Sequence, residues 1–433
     1  MKTIFNIKQI FNIAFLFILF TFLFGRSFMG LYIFGFRIGE LLIGSCLVAS
    51  FLAIFNNVNN KKVFNKRVIY LNYLIWFSFL ISLFLSKGNF YSIYIFKSSS
   101  YIWSISFLYV GVIFFKNFKF TKSKILILNL SLIYVYVLST VYYPKFIINF
   151  FIDNSDKWDF NKASSLGIFF IVAGMLNNRF KKYFKFSLEF FVIISALFLP
   201  LFLYKSRGAF VAIFLFVCIE LFEYRKELFK NNLKTYILIS IALITGMLST
   251  IRVLNQDVQD LIEEQKLLSI FYSGEAVEKL ASQKDTRVES FITFYLNDGR
   301  LYSIDGNFNW RMQIWQDVVF DSIKDGKVLF GNGYLDIIPA MQKYERQGND
   351  GLNENVHNFI VNIFARGGLV QLIIFLFFYY FLINNQKKKS KRELFVLSLP
   401  IFIISIFDNS MENAHFPVIY YLFSSFFSFE FED

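Results

Sequence analysis

The chain has 433 residues, of which 56% are hydrophobic and 21% aromatic, with a mean hydropathy of +0.50; this excludes an ordinary soluble domain and points to an integral membrane protein. A net charge of +13 would suggest nucleic acid in a soluble protein, but here the basic residues alternate with apolar runs, so no nucleic-acid partner is read from it. Two cysteines, Cys46 and Cys218, each inside an apolar run, exclude a disulfide framework and a cysteine metal site.

A helix needs about 20 mostly apolar residues to cross a bilayer. That length picks out about twelve spans, at 9–25, 38–56, 68–86, 98–115, 124–143, 163–178, 186–204, 208–224, 235–252, 359–383, 393–408 and 415–430. The first lacks the small-residue cleavage pattern of a signal peptide and reads as a retained helix. With the N-terminus inside, the connections "NNKKVFNKR", "KNFKFTKSK", "NRFKKYFK", "EYRKELFKNNLK" and "NNQKKKSKRE", with Lys2 and Lys8, hold 23 of the 44 Lys and Arg. More than half of the basic charge therefore falls on one side, which predicts both termini in the cytoplasm and reads the clusters as topological anchors.

One connection is long. Residues 253–355 carry 10 basic and 17 acidic residues and are expected outside the membrane. Within them "DVQDLIEEQKLLSIF" and "WRMQIWQDVVFDSI" have helical apolar spacing, so a small helical cap is expected rather than a structureless loop. The chain then divides into spans one to nine (1–252), the external loop (253–356) and spans ten to twelve (357–433). The expected fold class is an all-α polytopic membrane protein with a large external helical loop.

Chemistry-bearing residues collect on the outer side. Arg207, in "YKSRGAFVAIF", stands between two spans joined by almost no loop; it is either functional or an arginine snorkelling to head groups. Arg311 and Trp315 stand at i and i+4 in "NWRMQIWQDV", which by itself reads first as a surface cation stacked on an indole and only second as a functional pair. Gly331 and Gly333 in "FGNGYLD" lack phosphate-loop spacing and read as a turn. "NENVHNFIVNIFARGG" puts His357 and Asn358 at a helix start, with Arg366, Gly367 and Gly368 two to three turns on; a catalytic imidazole and a simple helix cap both fit. His415 has a similar setting with fewer companions. Asp153, Asp156 and Asp159 in "DNSDKWD" read as a solvated acidic loop, and Glu40 is expected to pair with Arg37. No metal-ligand spacing and no Ser/His/Asp set is legible, and few carboxylates lie inside spans, which argues against an ion-coupled transporter.

Three pieces together resemble the O-antigen ligase and polymerase family of bacterial envelope enzymes: "SRGA" opening a span, "RMQIW" followed by "FGNGYL" in a large external loop, and "HNFIVNIFARGGLVQLI" directly after it. The likeness covers roughly residues 160–385. It implies a bacterial inner-membrane enzyme that needs no cofactor or metal and moves a glycan from undecaprenyl diphosphate to an acceptor hydroxyl with inversion. By the same resemblance Arg207 and Arg311 bind the lipid diphosphate and His357 activates the acceptor; Asn358, Arg366, Arg287 and Arg300 are auxiliary candidates. The implied partners are the lipid-linked donor glycan, an acceptor glycan, membrane lipids and a chain-length regulator protein. A polymerase, joining repeat units, is the first reading. A ligase acting on lipid A-core or protein shares the donor chemistry and stays open. A repeat-unit flippase or a noncatalytic scaffold would leave the large loop or the ordered motifs without a purpose.

Overall fold

A computed structural model describes residues 7–60, 66–86, 88, 90–92, 94–140, 144–155, 162–230, 232–254, 294–347 and 353–428. The apolar segment 257–271 and the auxiliary candidate Arg287 lie outside the described residues, as do Asp156 and Asp159. Among the described residues the expected apolar runs fall largely on helix. Six of the helices there are long and apolar enough to cross a membrane: Gln9–Met29, Lys66–Leu85, Lys122–Thr140, Ser187–Lys205, Asn232–Leu254 and Phe359–Asn384.

The run at 98–115 is divided into Tyr94–Ser98, Ser100–Trp103 and Ser106–Asn117. Beside the breaks, Ser99 Oγ donates to the Ile95 carbonyl at 2.5 Å and Ser104 Oγ to that of Ser100 at 2.7 Å, carbonyls that the amides of the same serines also reach, at 3.1 and 3.0 Å. Two features had no signal in the apolar pattern: a short helix, Lys145–Asn154, and a small hairpin pairing Tyr32–Ile33 with Phe36–Arg37. The hairpin leads into the expected Arg37–Glu40 pair, at 3.4 Å.

Contacts divide the chain into two units, interleaved in sequence: Met1–Ile69, Ser100–Gln256 and Tyr380–Asp433 form one, Tyr70–Ser99 and Asp257–Tyr379 the other. In the first, Ala163–Arg179 and His415–Ser428 are buried at nearly every position, as a helix that is apolar all round must be when neighbours surround it. They pack on each other and on Ile7–Met29 and Lys388–Phe407. Phe22 stacks on Phe169 with centroids 4.4 Å apart.

Asn232–Leu254 shows the opposite pattern. It buries Thr235 and Ser249 and leaves Leu243, Met247 and Leu248 exposed. Water would punish that arrangement; lipid favours it, because hydrocarbon satisfies no hydroxyl and polar groups must turn inward to find partners. Ser249 Oγ donates to the Leu197 carbonyl at 2.6 Å and lies 2.8 Å from the Tyr136 hydroxyl. Asn129 and Asn177 exchange reciprocal amide bonds of 2.9 and 2.6 Å for the same reason.

The second unit contains the described residues of the long connection from 294 onward. An antiparallel hairpin, Phe294–Asn297 with Arg300–Ser303, precedes a helix, Gly306–Lys324, where the sequence predicted one. The cap is thus mixed rather than purely helical. Four-residue strands carry too little periodicity to stand out beside the helical segments.

Candidate active site

The Gly306–Lys324 helix starts where Asp305 accepts a hydrogen bond from the Phe308 amide at 2.9 Å, relieving one of the orphan donors of the first turn. Its inner face buries Ile314 and Val318 in a cluster with Ile338, Met341, Val356 and Ala365. Each such aliphatic side chain contributes about 1.5–3 kcal/mol when fully buried. This core ties the loop helix to the start of the Phe359–Asn384 helix, and Trp315 Nε1 adds a 2.7 Å bond to the Val356 carbonyl.

His357 comes next in the chain, and it is not the helix cap. Asn358 is: its side-chain oxygen accepts from the Val361 amide at 3.0 Å. His357 stands just outside, half-buried, with a φ of 53°. A left-handed conformation at a non-glycine residue costs about 1 kcal/mol or more and persists only where its surroundings impose it. Its ring lies 5.2 Å from that of Trp310, next in sequence to Arg311. Nε2 is 3.1 Å from Asn353 Oδ1. A carboxamide oxygen accepts, so this contact suits the form of the ring that carries a hydrogen on Nε2. The loop helix and the capped helix start therefore bring Arg311 and His357 into one framework within the second unit.

Behind the cap the Phe359–Asn384 helix is broken at Gly368, with φ 69° and ψ −170°. A break strands backbone groups that hydrocarbon cannot satisfy. The "FGNG" segment satisfies them. The Asn332 amide donates to the Ala365 carbonyl at 2.8 Å and the Gly333 amide to that of Arg366 at 2.9 Å. In return the Leu369 and Val370 amides donate to the Val328 and Leu329 carbonyls at 2.8 and 3.2 Å. Gly331 and Gly333 thus form more than a turn: they allow backbone to dock on backbone.

The Arg366 side chain is only 3% exposed and is spent on the same joint. Nη1 donates to the Asp336 carbonyl at 2.6 Å and the Gly333 carbonyl at 3.3 Å, and Nη2 to the Tyr94 hydroxyl at 2.6 Å. A buried acceptor left unsatisfied costs about 1–3 kcal/mol. Arg366→Met is therefore expected to destabilise the protein by about 3 kcal/mol, read as a lower thermal midpoint in detergent.

Arg300 is likewise engaged. It donates to Asp317 at 2.6 Å and Gln313 at 3.2 Å, and Arg346 Nε reaches the other Asp317 oxygen at 2.7 Å. Burial works to raise the Asp317 carboxyl, but the hydrogen bonds from Arg346 and Arg300 and the charges of Arg346 and Lys343 hold it below its ordinary value. A depressed folded value means the stabilisation is complete above the unfolded value, near pH 4, and is lost as pH falls through the folded one. Asp317→Asn should therefore flatten the acid limb of a stability-against-pH curve measured by thermal unfolding below about pH 4.

Arg207 belongs to the first unit. Ser206 caps its helix, Arg207–Glu223, accepting from the Ala209 amide at 3.4 Å, and Arg207 is half-buried in the first turn. Gly208 lies flat against Phe407, where an added Cβ would come within 2.7 Å of the ring. Phe407 adjoins Asp408, which pairs with Lys162 at 2.9 Å and accepts from Ser410 at 2.8 Å. His415 is fully enclosed and lies 3.0 Å from Ser165 Oγ. An apolar cavity of about 290 Å³ opens beside this helix start, lined by Leu199, Leu203, Tyr204, Phe210 and Val253 among others. The Lys162–Asp408 pair escaped sequence reading because its partners are far apart in the chain. The one signal was a charged residue at each of two helix ends.

No curated protein matches the chain. Residues 190–376 match the family model described as O-antigen ligase, a segment that runs from within the Ser187–Lys205 helix into the Phe359–Asn384 helix. It contains Arg207, Arg311, His357, the "FGNG" segment and the glycine break. Over the stretch that carries all three motifs, the chain thus shows the likeness to the O-antigen ligase and polymerase family that its residues imply.

Proposed function

We propose that the protein is a multi-pass glycosyltransferase of the bacterial inner membrane. In this reading it transfers a glycan from undecaprenyl diphosphate to a hydroxyl of a lipid-linked repeat unit, as a polymerase of O-antigen or capsule type. Both termini are cytoplasmic and the 253–356 region is external. The observation that carries the reading is His357: a half-buried imidazole in a strained conformation, outside the cap it was a candidate to provide, beside the helix that bears Arg311.

The chemistry suits those residue types. As the bond from sugar to diphosphate breaks, negative charge gathers on the leaving group, and guanidinium forks bind such oxyanions bidentately. Arg207 and Arg311 carry that role. Stabilised in this way, diphosphate leaves without a general acid. The incoming hydroxyl is a poor nucleophile, and a neutral imidazole takes its proton. Direct attack inverts the anomeric centre. The apolar cavity beside the Arg207 helix offers a surface for the hydrocarbon part of the donor.

A second reading, a ligase that hands finished polymer to lipid A-core or protein, is favoured by the description of the matching family. A deletion strain separates the two. Single repeat units on the final acceptor, seen on a gel, support the polymerase; full-length polymer left on the lipid carrier supports the ligase. Repeat units retained on the cytoplasmic side would instead mean a flippase and overturn both. Arg207→Ala and Arg311→Ala, supplied to the deletion strain at matched membrane abundance, are expected not to restore polymer.

A further inference from the structure

We infer that the hairpin Phe294–Asn297/Arg300–Ser303 is a carbohydrate platform, on which Tyr295 and Tyr302 stack pyranose rings of the acceptor glycan. The inference rests on the reading of the protein as a glycan-transferring enzyme. Tyr295 and Tyr302 are directly opposed in the antiparallel register. Their rings lie 5.5 Å apart and 16° from parallel, and Tyr295 is 50% exposed. The two phenol rings are stacked on each other, so a sugar meets the outer face of the pair.

The alternation of the strands makes this hairpin two-faced. Phe294, Leu296, Leu301 and Ser303 share one face; Tyr295, Asn297, Arg300 and Tyr302 share the other. The tyrosine face therefore joins aromatic surface to the Asn297 amide, while Arg300 on the same face is held by Asp317 and Gln313 of the loop helix. A pyranose has the complementary make-up: a face of polarised C–H bonds, attracted by the negative face of an aromatic ring, and a rim of hydroxyls. A lipid chain would make no use of the polar half.

The hairpin is also tied to the candidate site. The amides of Gln313 and Gln316 in the loop helix both donate to the Leu301 carbonyl, at 2.9 and 2.8 Å. Phe294 meets Phe308 edge-on at 5.8 Å, Phe308 meets Trp315 at 5.9 Å, and Trp315 bonds the carbonyl of Val356, the residue before His357. The platform and the proposed base are thus held by one helix. That connection assigns the acceptor, whose hydroxyl His357 would deprotonate.

The test uses full-length protein in lipid nanodiscs. The probe is oligosaccharide released by mild acid from the producing strain's own envelope polysaccharide, titrated calorimetrically. The variant Tyr295→Ala/Tyr302→Ala is expected to bind about tenfold more weakly, the scale of one or two lost aromatic contacts. Tyr295→Phe/Tyr302→Phe keeps both rings and is expected to bind as wild type does. Resistance to trypsin at Arg300, which the Asp317 pair protects, checks that the hairpin remains docked. Unchanged binding by the alanine pair overturns the platform, as does equal loss in the phenylalanine pair. Loss on Leu296→Ser with the tyrosines indifferent overturns it too, by moving the contact to the other face. His357→Ala separates the two readings: it should bind oligosaccharide normally while failing to transfer it. Wild-type protein that transfers glycan but whose tyrosine pair is indifferent leaves the enzyme reading standing and sinks only the platform.

Discussion

His357→Ala is expected to slow glycan transfer by about 100- to 10,000-fold, the range supplied by a positioned general base. The loss should come without unfolding, because the helix start is capped by Asn358 and the adjoining core is held by Val356 and Trp315. His357→Gly makes the sharper variant. Glycine adopts a φ of 53° without strain, so it removes the imidazole and the backbone cost together. It should be inactive yet no less stable than wild type, the pattern of strain stored at a functional position. Transfer rate and thermal midpoint, measured on the same nanodisc preparation, decide it. A stable, fully active His357→Gly protein would return the histidine to a structural role.

Gly368→Ala is expected to be the most damaging single-methyl change, at about 3 kcal/mol or more. Two costs add. The backbone at φ 69° and ψ −170° lies in a region that essentially only glycine occupies. A Cβ there would also come within 2.3 Å of the Leu329 carbonyl group, which is main chain and cannot step aside. Undocking that segment would release the bonds from Leu369 and Val370 and expose broken helix ends. Gly299→Ala is the control. It shares a positive φ of 74° but has open space around it, so it should cost only about 1 kcal/mol. Thermal midpoints in detergent compare the two, and equal losses would show that backbone docking adds nothing.

The candidate residues differ in how far the sequence exposed them. Arg311 and Trp315 stood out by spacing, and the helix that carries them formed where that spacing placed it. His357 stood out as one of two histidines in the chain, but its position left cap and catalyst equal; only the hydrogen bond to Asn358 separated them. Arg366, an auxiliary candidate in the sequence, is committed to the carbonyls of Gly333 and Asp336. The hairpin bearing Tyr295 and Tyr302 had no legible pattern, because its register depends on a helix that follows it.

Residue order alone pointed to the membrane setting and to the long apolar helices and their approximate ends, since apolar length and periodicity are local properties that each segment carries by itself. It also carried the family likeness, whose three short motifs all fall within the matched residues 190–376. What each polar side chain does was decided by tertiary structure. A guanidinium or an imidazole has the same chemistry wherever it stands in the chain; whether it meets a carbonyl, a carboxylate or an open face depends on partners brought from elsewhere. Glycine shows the same division. In sequence Gly331 and Gly333 read as a turn and Gly368 stands inside an expected span, and it takes the docked backbone to show why no side chain fits there.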